Sequence, residues 1–196
     1  MTVVALTGGI ACGKSTVAQM MRECGAYIVD ADEISRGLTA PGGAGLAPIR
    51  ETFGPGVFAP DGSLDRAALS RIVFSNEEQR QKLNALLHPL IREEMMRQTA
   101  QGKECGAQVV VLDVPLLFEA GMQDMADVVV CVHCPEDIQI LRMKSRNGYS
   151  REEAISRIRS QWPLSEKMRL SDLLISTNQP LEDLRHQVQS LYESWV

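Results

Sequence analysis

The chain has 196 residues, 44% hydrophobic and 23% charged, which is ordinary for a globular protein and excludes a disordered or collagen-like chain. A formal net charge of −5 and an aromatic content of 5% argue against a dedicated nucleic-acid binder, which needs a basic footprint or a base-stacking platform. No run approaches the roughly 20 apolar residues of a membrane helix. With no signal-peptide pattern at Met1–Leu6 and five irregularly spaced cysteines, the expectation is a cytoplasmic protein with reduced thiols and no membrane partner.

Val3–Thr7 reads as a short buried strand running into Gly8-Gly9. Good helix formers follow at Ser15–Arg22, stopped by Gly25, and Tyr27-Ile28-Val29 reads as a second strand ending in Asp30-Ala31-Asp32. Strand, helix and strand in about 30 residues make a βαβ unit. From Ile34 to about Cys105 glycine and proline turns give way to apolar residues at helical spacing, with Ser63 or Asp65 opening one helix and Pro89 marking a kink or helix start. This stretch reads as a helical insertion. Valine-rich strands return at Gln108–Asp113 and Asp127–Val132, helices at Glu136–Arg146 and Arg151–Arg159, a last strand at Asp172–Ser176 and a closing amphipathic helix from Leu181. The whole is an α/β protein with a mostly parallel sheet and inserted helical pieces.

Gly8-Gly9-Ile10-Ala11-Cys12-Gly13-Lys14-Ser15 matches G-x-x-x-x-G-K-[ST] in full. Glycines let the backbone turn its N–H groups inward, the following helix adds its positive dipole end, Lys14 neutralises phosphate and the Ser15 hydroxyl is placed to ligate Mg²⁺. A glycine turn carrying a surface lysine would not need a strand before it and a helix after it. The motif therefore reads as a nucleoside triphosphate site.

Three carboxylates end strands near it. Asp113 either holds Mg²⁺ or caps the turn before Pro115. Asp30 and Asp32, two apart on an extended chain, face one side, and one of them could accept a proton from an attacking hydroxyl. Asp32 is equally suited to capping the helix Glu33–Leu38, and spacing alone does not separate the two roles. Between Arg142 and Arg169 stand eight basic residues against Glu152, Glu153 and Glu166, the composition of a phosphate-neutralising lid. Cys131 and Cys134 have C-x-x-C spacing but no second ligand pair, so they read as structural. His88, before Pro89, reads on spacing as a structural histidine.

Together these residues resemble the dephospho-coenzyme A kinase family. The resemblance runs from Thr7–Ser15 through Ile28–Asp32, Phe53-Gly54, Asp61–Arg66 and Leu83–Pro89 with Ile91-Arg92. It continues through the D-[VI]-P-L-L-[FY]-E element at Asp113–Glu119 to Gln139, Arg142, Arg146, Gln161 and Asn178. Ala11 stands where the family has a glycine, with Cys12 after it, and Ser171 precedes Asp172 where alanine is usual. The resemblance implies ATP- and Mg²⁺-dependent phosphorylation of the ribose 3′-hydroxyl of dephospho-coenzyme A by a P-loop NTPase-type three-layer fold with a five-stranded sheet. It implies a nucleotide-binding core (1–32, 105–140 and 170–196), a helical coenzyme-binding domain (33–104) and a lid (141–169), in a monomer or weak homo-oligomer. Asp32 would then be the general base, with Lys14 and Arg142 at the transferring phosphoryl. Gly8, Ala11, Cys12, Gly13, Lys14, Ser15, Thr16, Arg146 and Asn178 would face the nucleotide. Asp32, His88, Arg92, Asp113, Leu116 and Glu119 would face the acceptor, and Ser15 and Asp113 the metal. Rival readings are another small P-loop kinase, which has no need of D-x-P-L-L-x-E, a GTP switch, for which no N-K-x-D element is present, and a non-catalytic nucleotide-binding module.

Overall fold

Short apolar strands, the central three rich in valine, build with helices a five-stranded sheet in the computed structural model, which describes every residue from Met1 to Val196. In chain order, β1 (Thr2–Gly8), α1 (Lys14–Glu23) and β2 (Tyr27–Asp30) form the opening βαβ unit. The helices α2 (Ala31–Leu38), α3 (Leu46–Phe53), α4 (Arg66–Ser75) and α5 (Glu77–Glu104) follow. Then come β3 (Val109–Asp113), β4 (Val128–His133), α6 (Glu136–Asn147), α7 (Arg151–Arg159), α8 (Leu164–Leu170), β5 (Leu173–Ser176) and α9 (Leu181–Glu193).

The strand order is β2-β3-β1-β4-β5, and β1 pairs in parallel with both β3 and β4, as β4 does with β5. The register sets Leu6 beside Asp113 and Gly8 beside Val132. Parallel strands covered by helices have no need of polar residues on either face, and all five residues of β3 are buried. Val17 and Met21 of α1 and Leu184 and Val188 of α9 pack with Val4, Leu6, Val111, Val130 and Ile175.

The chain divides into two compact units, 1–29 with 99–196, and 30–98. The basic stretch 141–169, separated in the sequence reading, lies in the first of these, where Ile140, Met143 and Ala154 form a small core with Ile10 and Ala11 of the phosphate loop. The second unit has its own core of Ile49, Val57 and Leu69, packed with Phe53, Phe58, Leu83 and Leu87. Its β structure amounts to one bridge between Phe58 and Leu64. Pro89 neither starts nor divides a helix: α5 runs through it for 28 residues. The missing N–H removes one hydrogen bond and the ring crowds the preceding turn, together about 3 kcal/mol in a helix interior, and the helical residues on both sides hold the element together.

Candidate active site

Close packing dictates the phosphate loop. A Cβ on Gly8 would stand 2.4 Å from the Val132 carbonyl oxygen, so β1 can lie this close to β4 only with glycine there. Gly13 enters α1 at φ 89°, a left-handed conformation suited to glycine. Ala11 also has a positive φ, 57°, and is the one non-glycine residue that does.

Side chains from α6, the segment after α7 and the residue after β5 tie the loop down. The Gln161 side-chain oxygen accepts from the Ile10 N–H at 3.1 Å, and Gln139 Nε2 donates to the Ile10 carbonyl at 2.7 Å. Arg142 Nη1 donates to the Ala11 carbonyl at 3.2 Å and to Thr177 Oγ1 at 2.9 Å, while its Nη2 donates to the Thr177 carbonyl at 3.0 Å. Thr177 Oγ1 in turn donates to the Cys12 carbonyl at 2.6 Å. Three consecutive loop carbonyls are thereby engaged by side chains, and at the start of α1 the Lys14 and Ser15 N–H groups have no intrahelical partner. That is the arrangement that receives an anion. Thr177 escaped the sequence reading because its partner Cys12 lies 165 residues away.

Lys14 Nζ is ion-paired with Asp113 Oδ1, and both side chains are largely buried. Ser15 and Thr16 are exposed on the first turn of α1. Asn178 is exposed just beyond β5.

The basic stretch does not act as one surface. Lys167 is fully buried: its Nζ pairs with Glu119 Oε1 at 2.8 Å and donates to the Pro115 carbonyl at 3.0 Å, which also accepts from Thr7 Oγ1 at 3.1 Å. Glu119 Oε1 accepts the Trp162 N–H at 3.1 Å as well, while its Oε2 is buried without a partner. Lys167 is therefore a strut beneath the Pro115–Glu119 turn and not a lid charge. Arg157 lies 4.2 Å from the Tyr149 ring centre and Arg169 pairs with Glu166. Lys144, Arg146, Arg151 and Arg159 are exposed. Leu116 is exposed on its turn at 45%.

In the second unit the end of β2 corrects the extended-chain reading. Asp30 Oδ1 accepts the N–H groups of Asp32 at 2.8 Å and Glu33 at 3.0 Å, so Asp30 is the N-cap and Asp32 is already helical. Capping by Asp30 leaves the Asp32 carboxylate exposed. His88 and Arg92 are half-buried and four apart on α5, hence on one helix face. Burial pulls the His88 imidazole below its ordinary 6.5.

The family model described as dephospho-CoA kinase matches residues 2–183. The chain is 46% identical to the dephospho-CoA kinase of Geobacillus kaustophilus over 192 residues, covering 98% of this chain and 96% of that one. It is 41% identical to that of Carboxydothermus hydrogenoformans over 193 residues, 98% of this chain and 94% of that one. A crystal structure from Thermus thermophilus superposes with a TM-score of 0.85 at 31% identity, over 100% of this chain and 98% of that chain. Dephospho-CoA kinase from Campylobacter jejuni does so with 0.74 at 25%, over 98% and 96%. Shikimate kinase from Acinetobacter baumannii shares the fold, with a TM-score of 0.55 at 18% identity over 99% and 94%. The phosphate loop, the Asp113–Glu119 turn and these likenesses over nearly the full length lead to one conclusion: the chain belongs to the dephospho-CoA kinase family, ATP-dependent enzymes that catalyse the final step of coenzyme A synthesis.

Proposed function

We propose that this chain transfers the ATP γ-phosphoryl with Asp32 as general base and Lys14 and Arg142 as the positive charges beside the transferring group. The carrying observation is the bracing of the loop by Arg142, Thr177, Gln139 and Gln161, which prepares the start of α1 for phosphate oxygens. Asp32, relieved of capping by Asp30, takes the proton of the acceptor 3′-hydroxyl as that oxygen bonds to the γ-phosphorus. The bond to the β,γ-bridging oxygen breaks and ADP leaves.

Ser15 and Asp113 offer hard oxygen donors of the kind Mg²⁺ takes. No three ligating side chains gather anywhere in the chain, so nucleotide oxygens and water would complete the shell. Bound there, the ion supplies charge neutralisation at the β- and γ-phosphates. Gly8, Ala11, Cys12, Gly13 and Thr16 line the phosphates, Arg146 serves from the lid (141–169), and Asn178 faces the adenine. Region 33–104 receives the acceptor through His88 and Arg92, joined by Leu116 and Glu119. The enzyme works in the cytoplasm as a monomer or weak homo-oligomer.

The test is ADP release with dephospho-coenzyme A beside adenosine, AMP, shikimate and no acceptor, in wild type, Asp32→Asn and Asp30→Ala. Turnover confined to dephospho-coenzyme A should fall by about 10²-fold or more in Asp32→Asn. Asp30→Ala should lose about 1 kcal/mol of stability and keep most of its turnover. Asp32→Asn retaining full rate refutes the base assignment.

A further inference from the structure

Cys12 of the phosphate loop and Cys134, one residue beyond β4, are both buried in the main core, near enough that each thiol shifts the ionisation of the other. Arg142 Nη1 lies 3.7 Å from Cys134 Sγ while also donating to the loop at Ala11. Cys134 is also part of the wall of a cavity of about 460 Å³, with Gly9, Ile10, Gln139, Gln161 and Trp162. Cys12 is not in that wall. The pair is thus ordered: one thiol meets the cavity, and the second stands behind it in the loop that receives ATP.

We propose that Cys134 and Cys12 form a thiol-modification site for low-molecular-weight disulfides, which enter by this cavity and leave the phosphate loop cross-linked to the end of β4. The Cys134 thiolate attacks one sulfur of the small disulfide, forming a mixed disulfide and expelling one thiolate. Cys12 then attacks Cys134 Sγ, forming the internal disulfide and releasing the second half of the reagent as thiol. Two protein thiols are oxidised and one external disulfide is reduced to two thiols.

The electrostatics select the order of attack. The Cys12 thiol and the nearby Arg142 guanidinium favour the Cys134 thiolate, whereas the Cys134 thiol and burial keep Cys12 protonated. Elsewhere burial pushes the Cys131 thiol up to about 11, and burial with nearby carboxylates raises Cys24.

The consequence follows from bond length. The two sulfurs must close to about 2.05 Å in a disulfide, and Cys12 sits in a loop whose Ile10, Ala11 and Cys12 carbonyls are each held by a side chain. Closure therefore displaces the loop against those bonds. A displacement of order 1 Å in a positioning element costs about 10²-fold.

The experiment treats the reduced protein with 2-hydroxyethyl disulfide and reads intact mass, peptide cross-links and ATP affinity by calorimetry. ATP affinity is read because it does not depend on the acceptor assignment above, and because that acceptor carries a thiol that would reduce the bond. Loss of two hydrogen masses, a Cys12–Cys134 peptide and an ATP affinity at least tenfold weaker, all reversed by dithiothreitol, are expected. Cys134→Ala should bind ATP normally before treatment and keep that affinity after it. The proposal is overturned by a product that stops at a mixed disulfide, by a cross-link between other cysteines, by a cross-linked protein with unchanged ATP affinity, or by equal loss in Cys134→Ala.

Discussion

Lys14, the first residue of α1, is ion-paired with Asp113, the last residue of β3. The pairing is a product of register: β1 and β3 run parallel with Leu6 beside Asp113, so the phosphate loop leaving β1 returns its lysine over the end of the neighbouring strand. Asp113 offsets the Lys14 charge and holds its ammonium at the end of β3.

Removing either partner should therefore have unequal effects. The Asp113 side chain is 9% exposed and that of Lys14 17%. Lys14→Met removes the counter-charge of a buried carboxylate and should cost about 3 kcal/mol in denaturant unfolding, with turnover down by about 10²-fold or more. Asp113→Asn lets Lys14 turn toward solvent and should cost about 1 kcal/mol. In steady-state kinetics it should raise the Mg²⁺ requirement more than the KM for dephospho-coenzyme A. The reverse order would assign Asp113 to the acceptor.

The elements that sequence reading recovers are those set by local pattern. The three central strands β1, β3 and β4 are rich in valine because both faces are covered, and the phosphate loop is a contiguous spacing with its own strand and helix. What it misses depends on distant contacts. Thr177 gains its role from a carbonyl 165 residues away, and Lys167 counts as lid charge until the fold buries it against Glu119. The exchange of roles between Asp30 and Asp32 turns on whether β2 ends at one aspartate or the other, a boundary that local composition does not determine.

Ala11 carries left-handed strain at φ 57°. Glycine adopts that conformation freely, and the relief exceeds the entropy glycine loses on folding. Ala11→Gly should stabilise the protein by about 0.5–1 kcal/mol, seen as a higher denaturant midpoint at unchanged slope. Gly13→Ala should do the opposite and weaken ATP binding, since a Cβ there at φ 89° would stand 3.2 Å from Thr177 Cγ2. A destabilised Ala11→Gly would refute the strain.

His88 has its pKa below 6.5 because burial disfavours the imidazolium. As pH falls through 6.5 the unfolded chain takes up the proton first, so this histidine's share of stability is present above that pH. It declines between 6.5 and the lower folded value. NMR titration of the folded protein should place the His88 midpoint below 6.5, and His88→Gln should flatten the stability profile in that window. A midpoint above 6.5 would mean that a carboxylate, not burial, governs the ring.

Lys167 and Glu119 can separate stability from acceptor binding. Lys167 is fully buried and Glu119 holds a buried Oε2 without a partner, so Lys167→Met alone should cost about 3–5 kcal/mol. Adding Glu119→Leu removes the stranded charge and should restore most of that loss, since two apolar side chains can replace a buried pair. The Pro115 carbonyl, however, has lost its Lys167 donor and keeps only the Thr7 hydroxyl. The double variant should thus unfold nearly as wild type does while its KM for dephospho-coenzyme A is raised and its KM for ATP is unchanged. If both KM values stay at wild type, the Pro115–Glu119 turn does not receive the acceptor, and the pair serves stability alone.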